Sequence, residues 1–117
     1  MYTRFITCAK LFYGVKMKKI SESEIEKYFC WVVEMMGGKA YKFRSPAQRG
    51  VADRVACLPD GTTWFVELKT KGGRLAPLQK IFKNDMDLLK QNHAVLWSHD
   101  HIDEWMKERQ WLSHEKK

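Results

Sequence analysis

The 117-residue chain predicts an α/β fold, with a mixed four-stranded sheet flanked by helices in the order α-β-β-β-α-β-α. Two segments, 22–36 and 77–89, repeat apolar residues at spacings of three and four, as amphipathic helices do. Short segments rich in β-branched and aromatic residues, typical of strands, lie between them, and a nearly continuous apolar run follows the second helix. One domain over 19–112 is expected, with a peripheral extension at 1–18 and a basic tail at 113–117.

The first helix has clear start and stop residues. Ser21 is the expected N-cap, and Glu24 completes a capping box with it. Gly37 and Gly38 end the helix near Met36. The apolar stripe comprises Ile25, Phe29, Val32 and Met36.

A predicted hairpin follows a short strand at 39–44. Strands at 55–58 and 63–69 flank a turn in which Gly61 can take the left-handed conformation of a three-residue loop. Paired residue numbers then sum to 120, so Asp53 faces Glu67 across the strands. A two-residue loop would shift the register by one and send Asp53 to the other face. The site hypothesis below favours the longer loop.

The second half of the chain predicts a helix, a strand and a final helix. Pro77 opens the helix at its first position. Its expected buried stripe comprises Leu78, Ile81, Phe82, Met86 and Leu89. The strand at 92–97 is apolar enough to suggest burial on both faces. Asp100 is the expected cap of the last helix, whose core-facing residues are Ile102, Trp105 and Met106.

Composition narrows the class of protein. The net charge of +7 favours a polyanionic partner such as nucleic acid. Three cysteines, an odd number, suggest reduced and buried thiols and hence a cytoplasmic protein. Lys10 interrupts the apolar patch of residues 1–19, which argues against a secretory signal, and no apolar run is long enough to span a membrane. Whether Met17 is the natural start stays open.

Asp53, Glu67 and Lys69 are the candidate catalytic residues, because the predicted register places all three on one face of the sheet. Two carboxylates can bind a hard divalent cation through oxygen. A lysine beside them can hold a nucleophilic water or a developing negative charge. This combination suits hydrolysis of a phosphodiester.

Other polar residues have two readings each. Glu22 lies at the edge of the first helix's apolar stripe, and Glu26 lies further from that stripe around the helix. Either carboxylate could join the site or simply stabilise the positive end of the helix dipole. The loops at 45–50 and 70–74 could lie along a nucleic-acid backbone or be ordinary solvated connections.

Three stretches resemble the VRR-NUC domains (virus-type replication-repair nucleases) of the PD-(D/E)XK superfamily. They are Ser45 to Arg54 (SPAQRGVADR), Trp64 to Lys69 (WFVELK) and Gly72 to Gln79 (GGRLAPLQ). The first helix and residues 95–98 also fit. The sequence departs from the family pattern at Ala52, where proline is usual, and at Ala47, where glycine is usual.

The resemblance implies a restriction-endonuclease-like core and a role for each matched residue. Asp53 and Glu67, with the backbone carbonyl of Leu68, would bind Mg²⁺ or Mn²⁺. Lys69 would activate the attacking water, and Gln79 would support the lysine or the water. Glu22 resembles the family's helical carboxylate, with Glu26 as the other candidate. Stand-alone phage and bacterial members are expected to be homodimers that act on branched DNA in replication and repair.

The leading interpretation is therefore a metal-dependent, structure-selective DNA endonuclease, similar to a Holliday-junction resolvase. The residues expected to contact DNA are Arg44, Ser45, Gln48, Arg49, Arg54, Lys71 and Arg74. A catalytically silent DNA-binding module and a sequence-specific restriction-type endonuclease are the alternatives.

Overall fold

The computed structural model describes residues 20–44 and 50–115, with side chains described through residue 110. Its elements are α1 (Glu22–Met35), β1 (Lys39–Lys42), β2 (Arg54–Cys57), β3 (Thr63–Leu68), α2 (Pro77–Leu88), β4 (Asn92–Leu96) and α3 (His99–Glu115). This order confirms the predicted one. The backbone of α3 continues to Glu115, beyond the boundary predicted for the domain at residue 112.

The four strands form one mixed sheet in the order β1-β2-β3-β4. The first three strands are antiparallel, and β4 runs parallel to β3. A parallel pair needs a crossover connection, which α2 supplies. The predicted fold class is therefore confirmed.

The β2–β3 hairpin has the predicted three-residue loop. The N–H of Leu58 donates to the carbonyl of Thr62 at 2.9 Å, and Gly61 has a φ of +88°. Only glycine takes this left-handed conformation without steric cost. Val55 pairs with Phe65 and Cys57 with Thr63. The register therefore sums to 120, and the two-residue loop is excluded.

The principal core lies on the face of the sheet covered by α1 and α3. Its strand residues include Ala56, Val66 and Leu68, which are buried together with apolar residues of both helices. The rings of Phe29 on α1 and Trp105 on α3 are 5.4 Å apart. Burial of such side chains from several elements in one cluster is what fixes the two helices on this face.

Side-chain caps define the starts of these two helices. Ser21 Oγ accepts from the N–H of Glu24 at 3.2 Å, so the predicted N-cap of α1 is confirmed. At α3, Ser98 Oγ accepts from the N–H of His101 at 3.1 Å. The helix therefore begins one residue before Asp100, and the predicted Asp100 cap is wrong.

The opposite face of the sheet carries α2, which buries far less than predicted. Phe82 packs on the sheet, with ring centroids 5.9 Å from Phe65 and 5.8 Å from His93. By contrast, Leu78, Ile81, Leu88 and Leu89 are 46%, 55%, 80% and 63% exposed. The predicted buried stripe is thus wrong for Leu78, Ile81 and Leu89. The helix contacts the sheet through Phe82, and Met86 is half-buried.

Two smaller burial predictions also fail. In β4 only Leu96 is buried, because this strand forms an edge of the described sheet rather than a central strand. Cys57 is an exposed free cysteine and Cys30 a partly buried one, while Cys8 lies outside the described residues. Among the described helices, none has the length and apolar character needed to cross a bilayer.

Candidate active site

Asp53 lies directly before β2, and hydrogen bonds hold both its backbone and its side chain. Its backbone carbonyl accepts from the N–H of Phe43 at 3.1 Å. Its Oδ2 accepts from the N–H of Leu68 at 2.9 Å. The carboxylate therefore reaches across to β3, next to Glu67, as the predicted register requires.

Glu67 is almost fully buried near the end of β3, with 2% of its surface exposed. Gln79 Nε2 donates to Glu67 Oε2 at 2.7 Å, and Gln79 Oε1 accepts from the N–H of Ala76 at 2.8 Å. Because its own amide is held at both ends, Gln79 fixes the carboxylate's orientation. Gln79 was predicted to support the lysine or the water, whereas its observed contact is with Glu67.

Lys69 follows β3 by one residue and lies on the same side as Glu67. Its Nζ is 3.6 Å from Glu67 Oε2, and its backbone N–H donates to the carbonyl of Leu96 at 3.0 Å. The hydrogen bond to β4 fixes the backbone of this residue directly after the strand. An ammonium group thus lies beside the two carboxylates.

The environment of Glu67 strongly disfavours its charged form. Burial raises the pKa of this carboxyl group to about 8, aided by the negative charge of Asp53 and a hydrogen bond with its side chain. The positive charge of Lys69 opposes this rise in pKa, and the charge of Glu22 adds the smallest contribution to it. Without a cation, the pair of carboxyl groups therefore holds a proton at neutral pH.

These residues fit a divalent cation. A cation between the two carboxylates would supply the positive charge that a proton otherwise provides. In the part of the chain that the structure describes, no cluster of three His, Cys, Asp or Glu side chains is able to hold a metal ion. Asp53 and Glu67 would therefore be the side-chain ligands, and the carbonyl of Leu68 remains a predicted third ligand.

The two helical carboxylates differ in their surroundings. Glu22 is exposed at the first residue of α1, from where its charge influences Glu67. Glu26 instead pairs with Arg54, whose Nε donates to Glu26 Oε2 at 2.6 Å. Arg54 follows Asp53 on the strand, so its side chain points to the opposite face, towards α1. Glu26 and Arg54 are thus paired with each other. That Glu26 joins the metal site and that Arg54 contacts DNA stay predictions.

Strand alternation could have placed Arg54 on the helix side, but only the tertiary structure identifies its partner. The other residues predicted to contact DNA divide into two groups. Arg44, Lys71 and Arg74 are exposed, the last two on the loop that follows the candidate site. Ser45, Gln48 and Arg49 lie outside the described residues, as does Ala47.

Comparison with known proteins identifies the family. No family model matches the chain. A curated protein named putative nuclease p44, from Acyrthosiphon pisum secondary endosymbiont phage 1, is 48% identical over 80 residues, which cover 68% of this chain and 84% of the relative. A solved structure described as a VRR_NUC domain superposes with a TM-score of 0.71 at 24% identity, covering 75% of this chain and 97% of that structure. The chain therefore belongs to the same family of nucleases as this phage protein p44 and has the fold of a VRR_NUC domain.

Proposed function

We propose that this nuclease is a Mg²⁺- or Mn²⁺-dependent DNA endonuclease that selects branched or otherwise non-uniform DNA, similar to a Holliday-junction resolvase, in replication, repair or recombination. The observation that carries the proposal is the cluster at the ends of β2 and β3. There, the carboxyl groups of Asp53 and Glu67 lie together beside Lys69.

Each residue of the cluster has a separate task. A divalent cation, when bound, would lower the pKa of water and stabilise negative charge on the phosphate. Asp53 and Glu67 would hold that cation at the ends of β2 and β3, and Gln79 keeps Glu67 in one orientation. Lys69 is positioned to hold the attacking water or the charge that develops on the phosphate.

The exposed basic residues support a phosphate-directed mode of DNA binding. Lys71 and Arg74 lie on the loop between β3 and α2, next to the carboxyl cluster, and Arg44 follows β1. Contacts with phosphates position DNA but carry no base sequence. Selection by DNA shape therefore fits these residues better than selection by sequence.

One assay separates the proposal from its alternatives. Cleavage of a four-way junction, a flap, a nicked duplex and a plain duplex would be compared at one salt concentration with Mn²⁺. Lys69→Ala should slow cleavage by roughly 100-fold, the usual effect of removing one transition-state contact. Lys107→Ala on α3, an exposed lysine, controls for the loss of one positive charge.

The outcomes are distinct. Equal cleavage by the wild type and Lys69→Ala would contradict the mechanism. Junction binding without any cleavage would favour the catalytically silent module. Discrete fragments from long plain duplex DNA would indicate a restriction-type enzyme.

A homodimer is part of the same proposal, and the exposed face of α2 supports it. Leu78 and Ile81 lie near the start of this helix, and Leu88 and Leu89 at its end, all substantially exposed. In an antiparallel two-fold pairing, the first pair of one copy would meet the second pair of the other. These four side chains are 46% to 80% exposed and supply part of the roughly 800 Å² per partner that a stable interface buries.

The dimer is tested by sedimentation. The double variant Ile81→Glu and Leu88→Glu should sediment as a monomer if the wild type is a dimer. Lys80→Glu, on an exposed position away from this face of α2, is the matched control. A monomeric wild type, or a variant as dimeric as the control, would refute the interface.

A further inference from the structure

We propose that the ion pair between Glu26 and Arg54 positions the carboxylate of Asp53 from the opposite face of the sheet. Neither residue then binds the metal or the DNA. The inference rests on the proposed function, because Asp53 is its candidate metal ligand. It goes further by assigning both members of the pair a task in the geometry of the site.

The pair connects three elements of the fold. Arg54 Nε donates to Glu26 Oε2 at 2.6 Å, and Arg54 Nη1 donates to the carbonyl of Ala40 at 3.4 Å. Both side chains of the pair are only 21% exposed, and Lys42 Nζ lies 3.6 Å from the same glutamate oxygen. Arg54 is therefore fixed to α1 through its side chain and to β1 through a backbone carbonyl.

The anchoring of Arg54 acts directly on Asp53, because one peptide bond joins the two residues. Asp53 is the last residue before β2, where the regular pairing with β1 ends. Its own restraints are the Phe43 hydrogen bond to its carbonyl and the Leu68 hydrogen bond to its carboxylate. Holding Arg54 towards α1 directs the preceding side chain to the other face, where Glu67 lies.

A DNA contact and a positioning role require different properties of Arg54. A DNA contact would require an accessible positive charge, yet the guanidinium already donates to two protein oxygens. A positioning role requires the shape of the guanidinium, because the shortest contact is made by Nε, which lysine lacks. Arg54→Lys thus keeps the charge and removes the Nε hydrogen bond together with the fixed geometry of the guanidinium.

The first test needs neither metal nor DNA. Amide hydrogen exchange would be measured by NMR for Leu68, whose N–H donates to Asp53, and for Lys69, whose N–H donates to β4. In Arg54→Lys and in Glu26→Gln, exchange at Leu68 should accelerate at least about tenfold, as expected for a weakened hydrogen bond to a carboxylate. Exchange at Lys69 should stay near the wild-type rate.

Lys27→Gln is the matched control, since it removes one exposed charge from α1 without touching the pair. Unchanged exchange at Leu68 in both variants of the pair would overturn the inference, as would equal acceleration at Leu68 and Lys69, which would indicate general loosening of the sheet. Because these measurements use metal-free protein, they stand whether or not the wild type cleaves DNA.

Functional measurements extend the test. Each single variant should lower Mn²⁺ affinity or turnover by roughly 10- to 100-fold, as changes next to metal ligands do. DNA affinity measured in EDTA should stay near that of wild type. The double variant Glu26→Gln with Arg54→Gln should lower Mn²⁺ affinity or turnover no more than either single change, because each single change already removes the interaction between the two residues. Weaker DNA binding in Arg54→Gln but not Arg54→Lys would instead assign the arginine to DNA.

Discussion

Glu67→Gln should make the metal-free protein more stable at alkaline pH. Folding places this carboxyl group in a buried position beside Asp53, where its pKa rises from the ordinary 4.5 to about 8. A glutamine has nearly the same shape, carries no charge, and can still accept from Gln79 through its Oε1. The substitution therefore removes the cost of the charge and keeps the packing.

The direction and size of this pH effect on stability follow from the pKa of Glu67 in the unfolded and the folded chain. Between pH 4.5 and about 8 the folded wild type binds one proton more than the unfolded chain, so its stability falls as pH rises. Each pKa unit corresponds to about 1.36 kcal/mol, which gives a loss of about 5 kcal/mol by pH 8. Below pH 4.5 the loss is absent, and above pH 8 it no longer grows.

Urea unfolding in EDTA at pH 5, 7 and 9 measures this directly. The free energy of unfolding of Glu67→Gln should exceed that of wild type by several kcal/mol at pH 9, and the two should approach each other at pH 5. Glu104→Gln, which removes an exposed carboxylate from α3, should leave the pH profile of wild type unchanged. A Glu67→Gln variant whose stability follows the wild-type pH dependence would refute the argument that this charge is buried at a cost.

Three further predictions concern the metal, a glycine and a helix cap. Mn²⁺ at a hundred times its dissociation constant should raise the unfolding free energy of wild type by about 2.7 kcal/mol and that of Glu67→Gln far less, by thermal unfolding. Gly50→Ala should lower the free energy of unfolding, measured in urea, by more than about 1 kcal/mol, because φ is +84° and a Cβ would lie 2.6 Å from the α2 backbone. Gly72→Ala is the control, since Gly72 has a similar φ but nothing within 4 Å of its Cβ position, so the difference between the two variants measures the cost of the clash. Ser21→Ala should cost about 1 kcal/mol in the same assay, while Ser23→Ala, which is exposed on α1, should cost less.

Local chemistry along the chain limited the hairpin that carries the site to two registers. Gly61 can adopt a positive φ, which permits a three-residue loop, but the site hypothesis was needed to choose this loop over a two-residue one, and the structure has the three-residue loop. Asp53, Glu67 and Lys69 then share a face by strand alternation. The N-cap at Ser21 and the start of α2 at Pro77 are equally local, because each depends on residues within one turn.

Contacts between distant segments could not be predicted this way. An apolar repeat shows that α2 has an apolar side, but only packing decides which part of that side faces the sheet, and Phe82 occupies that position while Leu88 and Leu89 do not. Strand alternation sends Arg54 away from Asp53, but only the placement of α1 brings Glu26 within hydrogen-bonding distance. The sequence by itself determined the order of elements and limited the hairpin to two registers, since both depend on neighbouring residues. Tertiary structure decided which charges are paired and which apolar residues stay exposed, because those depend on elements that meet only when the chain has folded.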